Sequence, residues 1–157
     1  MSRRRKAEKR SIDPDPVYHS YILAKFINKL MRSGKKSLAR SIVYKSIENF
    51  AKKIKAEDPL TAFEQAIENV KPSIEAKSRR IGGATYQVPI EIPADRRTSM
   101  AMTWIIQFAD EKPGKSMVEG LTQEFVDCFN NQGASIKKKD ETHRMAEANK
   151  AFASYKW

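Results

Sequence analysis

Cysteine is nearly absent: Cys128 stands alone among 157 residues, so no internal disulfide can form and a reducing, cytoplasmic compartment is expected. Histidine is scarce as well. His19 and His143 have no metal-ligand spacing to Cys128 or to paired carboxylates, which argues against a metal site. No apolar run approaches the roughly 20 residues that span a bilayer. The basic N-terminus has no apolar stretch behind it, so it does not read as a secretory signal. Gly82-Gly83 has no Walker or dinucleotide pattern around it and reads as a hairpin turn. Glu64 and Glu68, four apart, fit a solvated helix face. We therefore expect no catalytic residue, no metal and no cofactor. Acidic side chains are also in deficit, 19 against 30 Lys and Arg, leaving a net charge of +11. Such a surplus attracts polyanions. Nucleic acid is the first candidate partner, and an anionic membrane surface the second.

The charge is unevenly placed. Residues 1–10 carry a net +5, residues 18–70 another +5, and residues 71–97 and 137–157 carry +3 each. Residues 11–17 contribute −2 through Asp13 and Asp15, and residues 98–136 contribute −3. This pattern predicts a molecule with one face toward nucleic acid and an acidic stretch facing elsewhere or toward a protein neighbour.

Residues 1–17 read as a basic arm, because Arg3-Arg4-Arg5-Lys6 has no apolar periodicity and Asp13-Pro14-Asp15-Pro16 stops any helix. From residue 18 the pattern becomes helical. The first stripe is Ile22, Leu23, Phe26, Ile27, Leu30 and Met31, closed at Ser33-Gly34. The second, from about Lys36 to Lys55, is Leu38, Ile42, Val43, Ile47, Phe50 and Ile54. Asp58-Pro59 then caps a third helix with Leu60, Phe63, Ile67 and Val70. Between 73 and 93 the period falls to two, which predicts a β-hairpin around Gly82-Gly83. A three-residue loop, Gly82-Gly83-Ala84, pairs Ile74 with Ile92 and Ala76 with Ile90 and keeps the apolar side chains on one face. That register is preferred over a two-residue loop.

Asp95 is a plausible N-cap for a fourth helix using Ala101, Trp104, Ile105 and Phe108. A fifth begins near Ser116 with Met117, Leu121, Phe125 and Cys128, the thiol being read as a small buried hydrophobe. A sixth spans about 136–152, with Met145, Ala148 and Phe152 inward. The expected fold is mainly α: a six-helix, bundle-like single domain over 18–157. A β-ribbon arm is inserted between the third and fourth helices.

Four basic clusters are candidate RNA contacts. Arg3, Arg4, Arg5, Lys6, Lys9 and Arg10 can lie along phosphates, though such tails also bind membranes or DNA. Lys35 and Lys36 sit where positive charge opposes a helix dipole, which favours phosphate contact over a solvated loop. Lys77, Arg79 and Arg80 precede the hairpin tip, Tyr86 and Gln87 follow it, and Arg96-Arg97 stand at its foot. Arginine offers forked donors to phosphate, and tyrosine a stacking face for bases. An ordinary surface hairpin is the alternative. Lys137, Lys138, Lys139, His143, Arg144 and Lys150 crowd the last helix, where a solvated face competes with an RNA contact. Lys115 joins the candidate set. A DNA-architectural protein fits the arm and hairpin too, and an RNA-modifying enzyme lacks the residues for its chemistry.

The stretches Lys77-Ser78-Arg79-Arg80-Ile81-Gly82-Gly83-Ala84-Thr85-Tyr86-Gln87-Val88-Pro89 and His143-Arg144-Met145-Ala146-Glu147-Ala148-Asn149-Lys150-Ala151-Phe152 closely resemble small-subunit ribosomal protein seven, and Tyr155-Lys156-Trp157 resembles its bacterial type more than its chloroplast type. Gly34-Lys35-Lys36-Ser37, Ile42-Val43-Tyr44 and Ala101-Met102-Thr103-Trp104-Ile105 extend the resemblance over essentially the whole chain. The resemblance implies a primary binder of small-subunit rRNA that nucleates head assembly on the 3′ major domain. It implies a place at the subunit interface near the decoding centre, beside mRNA and the exit-site tRNA, whose release the hairpin hinders. Ribosomal proteins nine and eleven are the implied protein partners. The rRNA positions it implies are the N-terminal arginines, Lys35, Lys36, Lys77, Arg79, Arg80, Arg97 and Arg144. Arg79, Arg80, Gly82, Gly83 and Tyr86 are the implied tRNA- and mRNA-proximal residues of the hairpin. Two positions depart from the family pattern: Thr103 stands where many members have arginine, and Glu119-Gly120 replaces a more basic pair.

Overall fold

The computed structural model of the chain describes residues 10–155. Six helices are present among them: α1 (Tyr21–Leu30), α2 (Lys36–Ile54), α3 (Pro59–Val70), α4 (Ala94–Asp110), α5 (Met117–Phe129) and α6 (Gly133–Ala148). The antiparallel strands β1 (Ile74–Ile81) and β2 (Ala84–Glu91) stand between α3 and α4, and a 3₁₀ segment, Lys150–Tyr155, follows α6. The mainly helical fold with one inserted hairpin is as expected.

Local chemistry starts three of the six helices. The Ser20 side chain accepts from Leu23 N at α1, and Asp58 from Leu60 N at α3, where Pro59 occupies the first turn. Ser116 and Glu119 form a reciprocal capping box on α5. Asp95 is not the cap: Pro93 holds that position, α4 begins at Ala94, and Asp95 lies in its first turn. Carboxylate charge there still suits the helix dipole.

Helix α5 is the centre of the fold, packing on α2, α3, α4 and α6. Phe125 is its hub. Its ring lies 5.3 Å from Phe63, 5.6 Å from Phe26 and 5.8 Å from Phe50, all in tilted or edge-on geometry. Cys128 is buried beside this cluster, as its place on the stripe predicts, and burial pushes its thiol pKa up. Gly120 makes the close approach of α4 possible: a Cβ there would lie 2.5 Å from the Ala109 carbonyl oxygen.

Three further expectations need correction. The hairpin has a two-residue loop, with Ile81 opposite Ala84, Lys77 opposite Val88 and Ile74 opposite Glu91. Gly82 and Gly83 both have positive φ, +57° and +88°, the backbone of a tight turn whose twist matches the strands. Turn geometry therefore overrides apolar matching. Val88, Ile90 and Ile92 share the face toward α6 and the 3₁₀ segment, and Ile74 falls on the opposite face, 38% exposed.

The last helix runs from 133 to 148 rather than 136 to 152, and Met145 and Ala148 are exposed. Its inward stripe is Ser135, Ile136, Thr142 and Ala146, in which Ile136 is the one large apolar side chain, too few for apolar periodicity to detect. In α2, Leu38 is exposed, and Ala39 takes its place inside.

Candidate nucleic-acid interface

The hairpin's foot is clamped to the helical body by residues expected to bind RNA. Arg96 grips Glu75 with two bonds of 3.1 Å, and that carboxylate raises the guanidinium pKa. Arg97 Nε donates to the Ile92 carbonyl at 2.6 Å. His143 Nε2 accepts from Ser73 N at 3.0 Å, which places the ring proton of the neutral form on Nδ1. Farther out, the Tyr86 ring lies 5.3 Å from Phe152. Arg96, Arg97, His143 and Tyr86 thus hold the ribbon's direction. Tyr86 is half-buried against Phe152 and is not an open stacking face in the free chain.

Above this foot the chemistry is different. Lys77, Arg79, Arg80, Gly82 and Gly83 are exposed. The register sets Lys77 and Arg79 on the face of Tyr86, and Arg80 on the other. Cations therefore flank both sides of the tip.

Lys35 and Lys36 start α2, where the N-cap has no side-chain hydrogen bond and the first turn has no acidic residue. Both are exposed, so positive charge meets the positive end of the helix dipole with no acidic residue in that first turn. On α6, Lys137, Lys138 and Arg144 line a groove of about 530 Å³ with Phe108, Ala134, Asp140 and Glu141. Lys138 pairs with Glu141 at 2.7 Å and holds that carboxyl below its usual range. Lys139 is an internal strut, donating to the Asn69 carbonyl at 2.7 Å. Lys150 is exposed at the start of the 3₁₀ segment. Lys115 lines a separate groove of about 520 Å³ with Lys52 and Lys53, two cations the motifs did not mark. Arg10 is exposed, and Arg3, Arg4, Arg5, Lys6 and Lys9 lie outside the described residues.

The arm's root is better anchored than its sequence suggests. Asp15 is 2% exposed, with its carboxylate accepting from the Tyr44 hydroxyl at 2.6 Å and from Val17 and Tyr18 N–H at 3.1 Å each. Burial and this bond push the Tyr44 pKa up to about 12. The Asp-Pro-Asp-Pro motif signalled a helix stop but not this knot.

The acidic stretch largely serves the fold. Glu124 is fully buried, accepting from Ser135 N–H at 3.2 Å and its hydroxyl at 2.6 Å, with Lys112 Nζ 2.9 Å away. Asp127 shares that lysine, and Asp110 pairs with Arg32 at 2.9 Å. Glu119 caps α5, Gly120 admits α4, and the Thr103 hydroxyl donates to the Ser99 carbonyl. Among the described residues no group of three or more His, Cys, Asp or Glu is arranged to hold a metal, and no helix is long and apolar enough to cross a membrane.

The family model for ribosomal protein S7p/S5e matches residues 2–150. Over 157 residues, and over the full length of both chains, the sequence is 69% identical to small ribosomal subunit protein uS7 of Protochlamydia amoebophila. It is 64% identical to that of Chlamydia felis and 62% identical to that of Chlamydia trachomatis, again end to end. With the family model covering nearly the whole sequence and relatives matching along their entire length, the chain belongs to the ribosomal protein S7p/S5e family.

Proposed function

We propose that this chain is a non-enzymatic structural constituent of the small ribosomal subunit, working in the cytoplasm within the ribosome, and that it binds the 3′ major domain of small-subunit rRNA as a primary binder. Membership in the family and the names of its relatives support the ribosomal role. The observation that carries the RNA reading is the ribbon, clamped at its foot by Arg96, Arg97 and His143 and lined at its tip by Lys77, Arg79 and Arg80. A two-stranded ribbon is marginal alone. Fixing it to a helical body keeps its cations in one place before RNA arrives, so less ordering remains to be done on binding. Lys35, Lys36, Lys115, Lys137, Arg144 and Lys150 supply further charge around the body, and the arm supplies more.

In this reading the protein organises the head of the subunit during assembly. The hairpin then lies at the subunit interface near the decoding centre, beside mRNA and the exit-site tRNA, and its bulk hinders release of that tRNA. Ribosomal proteins nine and eleven are its proposed protein neighbours.

Changing Lys77, Arg79 and Arg80 together to Ala tests the reading by filter binding to a 3′ major domain transcript across a salt series. Affinity should fall and the salt slope should shrink by roughly one for each phosphate no longer neutralised, with the helical circular dichroism unchanged. Unaltered affinity and slope would refute the proposal. Tighter binding of duplex DNA than of the transcript would favour a DNA-architectural role instead.

A further inference from the structure

Asp15 sits between Pro14 and Pro16, and proline fixes its own φ while holding the residue before it extended. On this stiff stretch Asp15 engages both carboxylate oxygens and both backbone groups. The carboxylate takes the Tyr44 hydroxyl at 2.6 Å and the Val17 and Tyr18 amides at 3.1 Å. The carbonyl accepts from His19 N at 2.8 Å, and the N–H donates to the Ser20 carbonyl at 3.3 Å. Residues 15–20 are thereby closed on themselves, and the Tyr44 bond ties them to α2. Starting α1 requires none of this, because Ser20 caps that helix with its own hydroxyl.

The path outward from the knot is set as well. Asp13 and Asp15 line a hollow with Ala24 and Ile27 of α1 and with Lys36 of α2. Ile12, half-buried, lines a second hollow with Asn28 of α1 and with Asp95, Thr98 and Ser99 of α4. Between Asp15 and Ile12 the chain thus crosses α1, from α2 to the first turns of α4. Those turns hold the hairpin, through Arg96 on Glu75 and Arg97 on the Ile92 carbonyl. Arg10 is exposed and stands two residues before Ile12, so it lies within about 7 Å of it along the chain. The segment with the arm's net +5 therefore leaves the body at the end of α4 where the hairpin is fixed.

We infer that Asp15 and Tyr44 are positioning residues for RNA binding: their knot aims the basic arm at the stretch of RNA that the hairpin engages, so that arm and hairpin act as one bivalent face. The inference rests on the RNA-binding reading and adds to it two residues that act through the arm. Its energetic ground is tether length. Arg10 lies five residues from Asp15 and ten from Ser20. With the knot open, Ile12 is left as a single half-buried contact, and the next fixed point is the Ser20 cap. Doubling a flexible tether lowers the effective concentration of what it carries by roughly threefold.

The test uses the full chain. Tyr44→Phe removes the hydroxyl and keeps the ring against Tyr18. It should weaken filter binding to the 3′ major domain transcript by about threefold or more, with the helical circular dichroism unchanged. The same change is then made in a chain whose arm cations Arg3, Arg4, Arg5, Lys6, Lys9 and Arg10 are all Ala. There it should have no effect, because no charge is left to aim. A merely structural role for Tyr44 would weaken both backgrounds equally. A second variant leaves the knot intact and inserts about five Gly and Ser residues between Arg10 and Ser11, which should reproduce the loss.

Placement is read by cutting the RNA. Cys128 is buried, so one new exposed thiol, Ser11→Cys or Ser78→Cys, takes an iron–EDTA probe selectively. Hydroxyl radicals from the two positions should cleave overlapping stretches of the transcript. Equal weakening of both backgrounds by Tyr44→Phe, weakening of neither, or cleavage in two separate stretches would overturn the inference. If Tyr44→Phe disturbs the fold, the insertion and the cleavage decide, and parent-like affinity with the longer tether overturns it. If the hairpin triple variant weakens binding while these results fail, the positioning role falls and the RNA reading stands. If the hairpin triple variant binds like the parent, the RNA reading falls with it.

Discussion

Gly120 and Glu124 show how much of this fold is decided by single residues that look functional or neutral in sequence. A Cβ at Gly120 would strike the backbone oxygen of Ala109, which cannot rotate away as a side chain would. Gly120→Ala should therefore destabilise the protein by about 1–3 kcal/mol, the usual range for overpacking, measured by urea denaturation. Parent-like stability would mean that α4 and α5 shift apart without strain. Glu124 is the reverse case, a charge inside the protein made tolerable by Lys112 and Ser135. Replacing it with Ala leaves Lys112 with Asp127 at 3.4 Å and removes the acceptor for the Ser135 amide. A loss of about 3 kcal/mol is expected, the lower end for breaking a buried pair, because Lys112 is 21% exposed and can rehydrate. A stabilised variant in the same denaturation assay would contradict this account.

Helix starts and the hairpin carry the next level. Glu119 serves the start of α5. It accepts from Ser116 N, and that bond holds its carboxyl below the usual carboxylate range. A carboxylate whose folded pKa is depressed stabilises the fold above its unfolded value, and that stability is lost as pH falls through the folded pKa. Asp58, bonded by Thr61 and Leu60 N, and Glu141, paired with Lys138, are shifted the same way. Stability should thus fall on the acid side of the ordinary carboxylate range. Ser116→Ala should cost about 1 kcal/mol at neutral pH and flatten the acid limb. An unchanged acid limb in paired urea melts would show that the cap does not set it. For the hairpin, Phe152→Ala removes the ring beneath Tyr86 and should raise amide exchange in β2 while leaving α5 protected. Uniform exchange rates in parent and variant would show that the 3₁₀ segment does not hold the ribbon.

On the scale of the whole molecule, charge is sorted into two jobs. Some cations are struts, as Lys112, Lys139, Arg96 and Arg97 show. Lys35, Lys36, Lys77, Arg80, Lys115, Lys137 and Arg144 line the grooves, the hairpin and the α2 start instead. Phosphate contacts release counterions, so affinity should fall steeply with salt. The slope should be shared among hairpin, α2 start and α6 rather than concentrated in one cluster. Combining Lys77, Arg79 and Arg80 to Ala with Lys35→Ala and Lys36→Ala should reduce the slope by nearly the sum of the separate reductions. A combined effect no larger than that of the hairpin alone, in the same filter assay, would place the α2 start outside the interface.

Read from sequence, the helices from α1 to α5, the hairpin's place, the basic clusters and the family resemblance were all legible. Periodicity of 3.6 or two and the chemistry of caps act within a few residues. Four matters required the folded chain. The hairpin register followed the two positive-φ glycines, because a tight turn constrains the backbone more strongly than matched apolar faces do. The inward face of α6 has Ile136 as its one large apolar side chain beside Ser135, Thr142 and Ala146, so no apolar stripe announced it. Leu38 is exposed because Ala39 takes the inner position on α2. The division of the cations also depends on partners distant in sequence: Glu75 for Arg96, Ile92 for Arg97 and Asn69 for Lys139. Sequence gives a side chain's charge, but whether that charge is engaged depends on which acceptors the tertiary packing brings within about 3 Å of it.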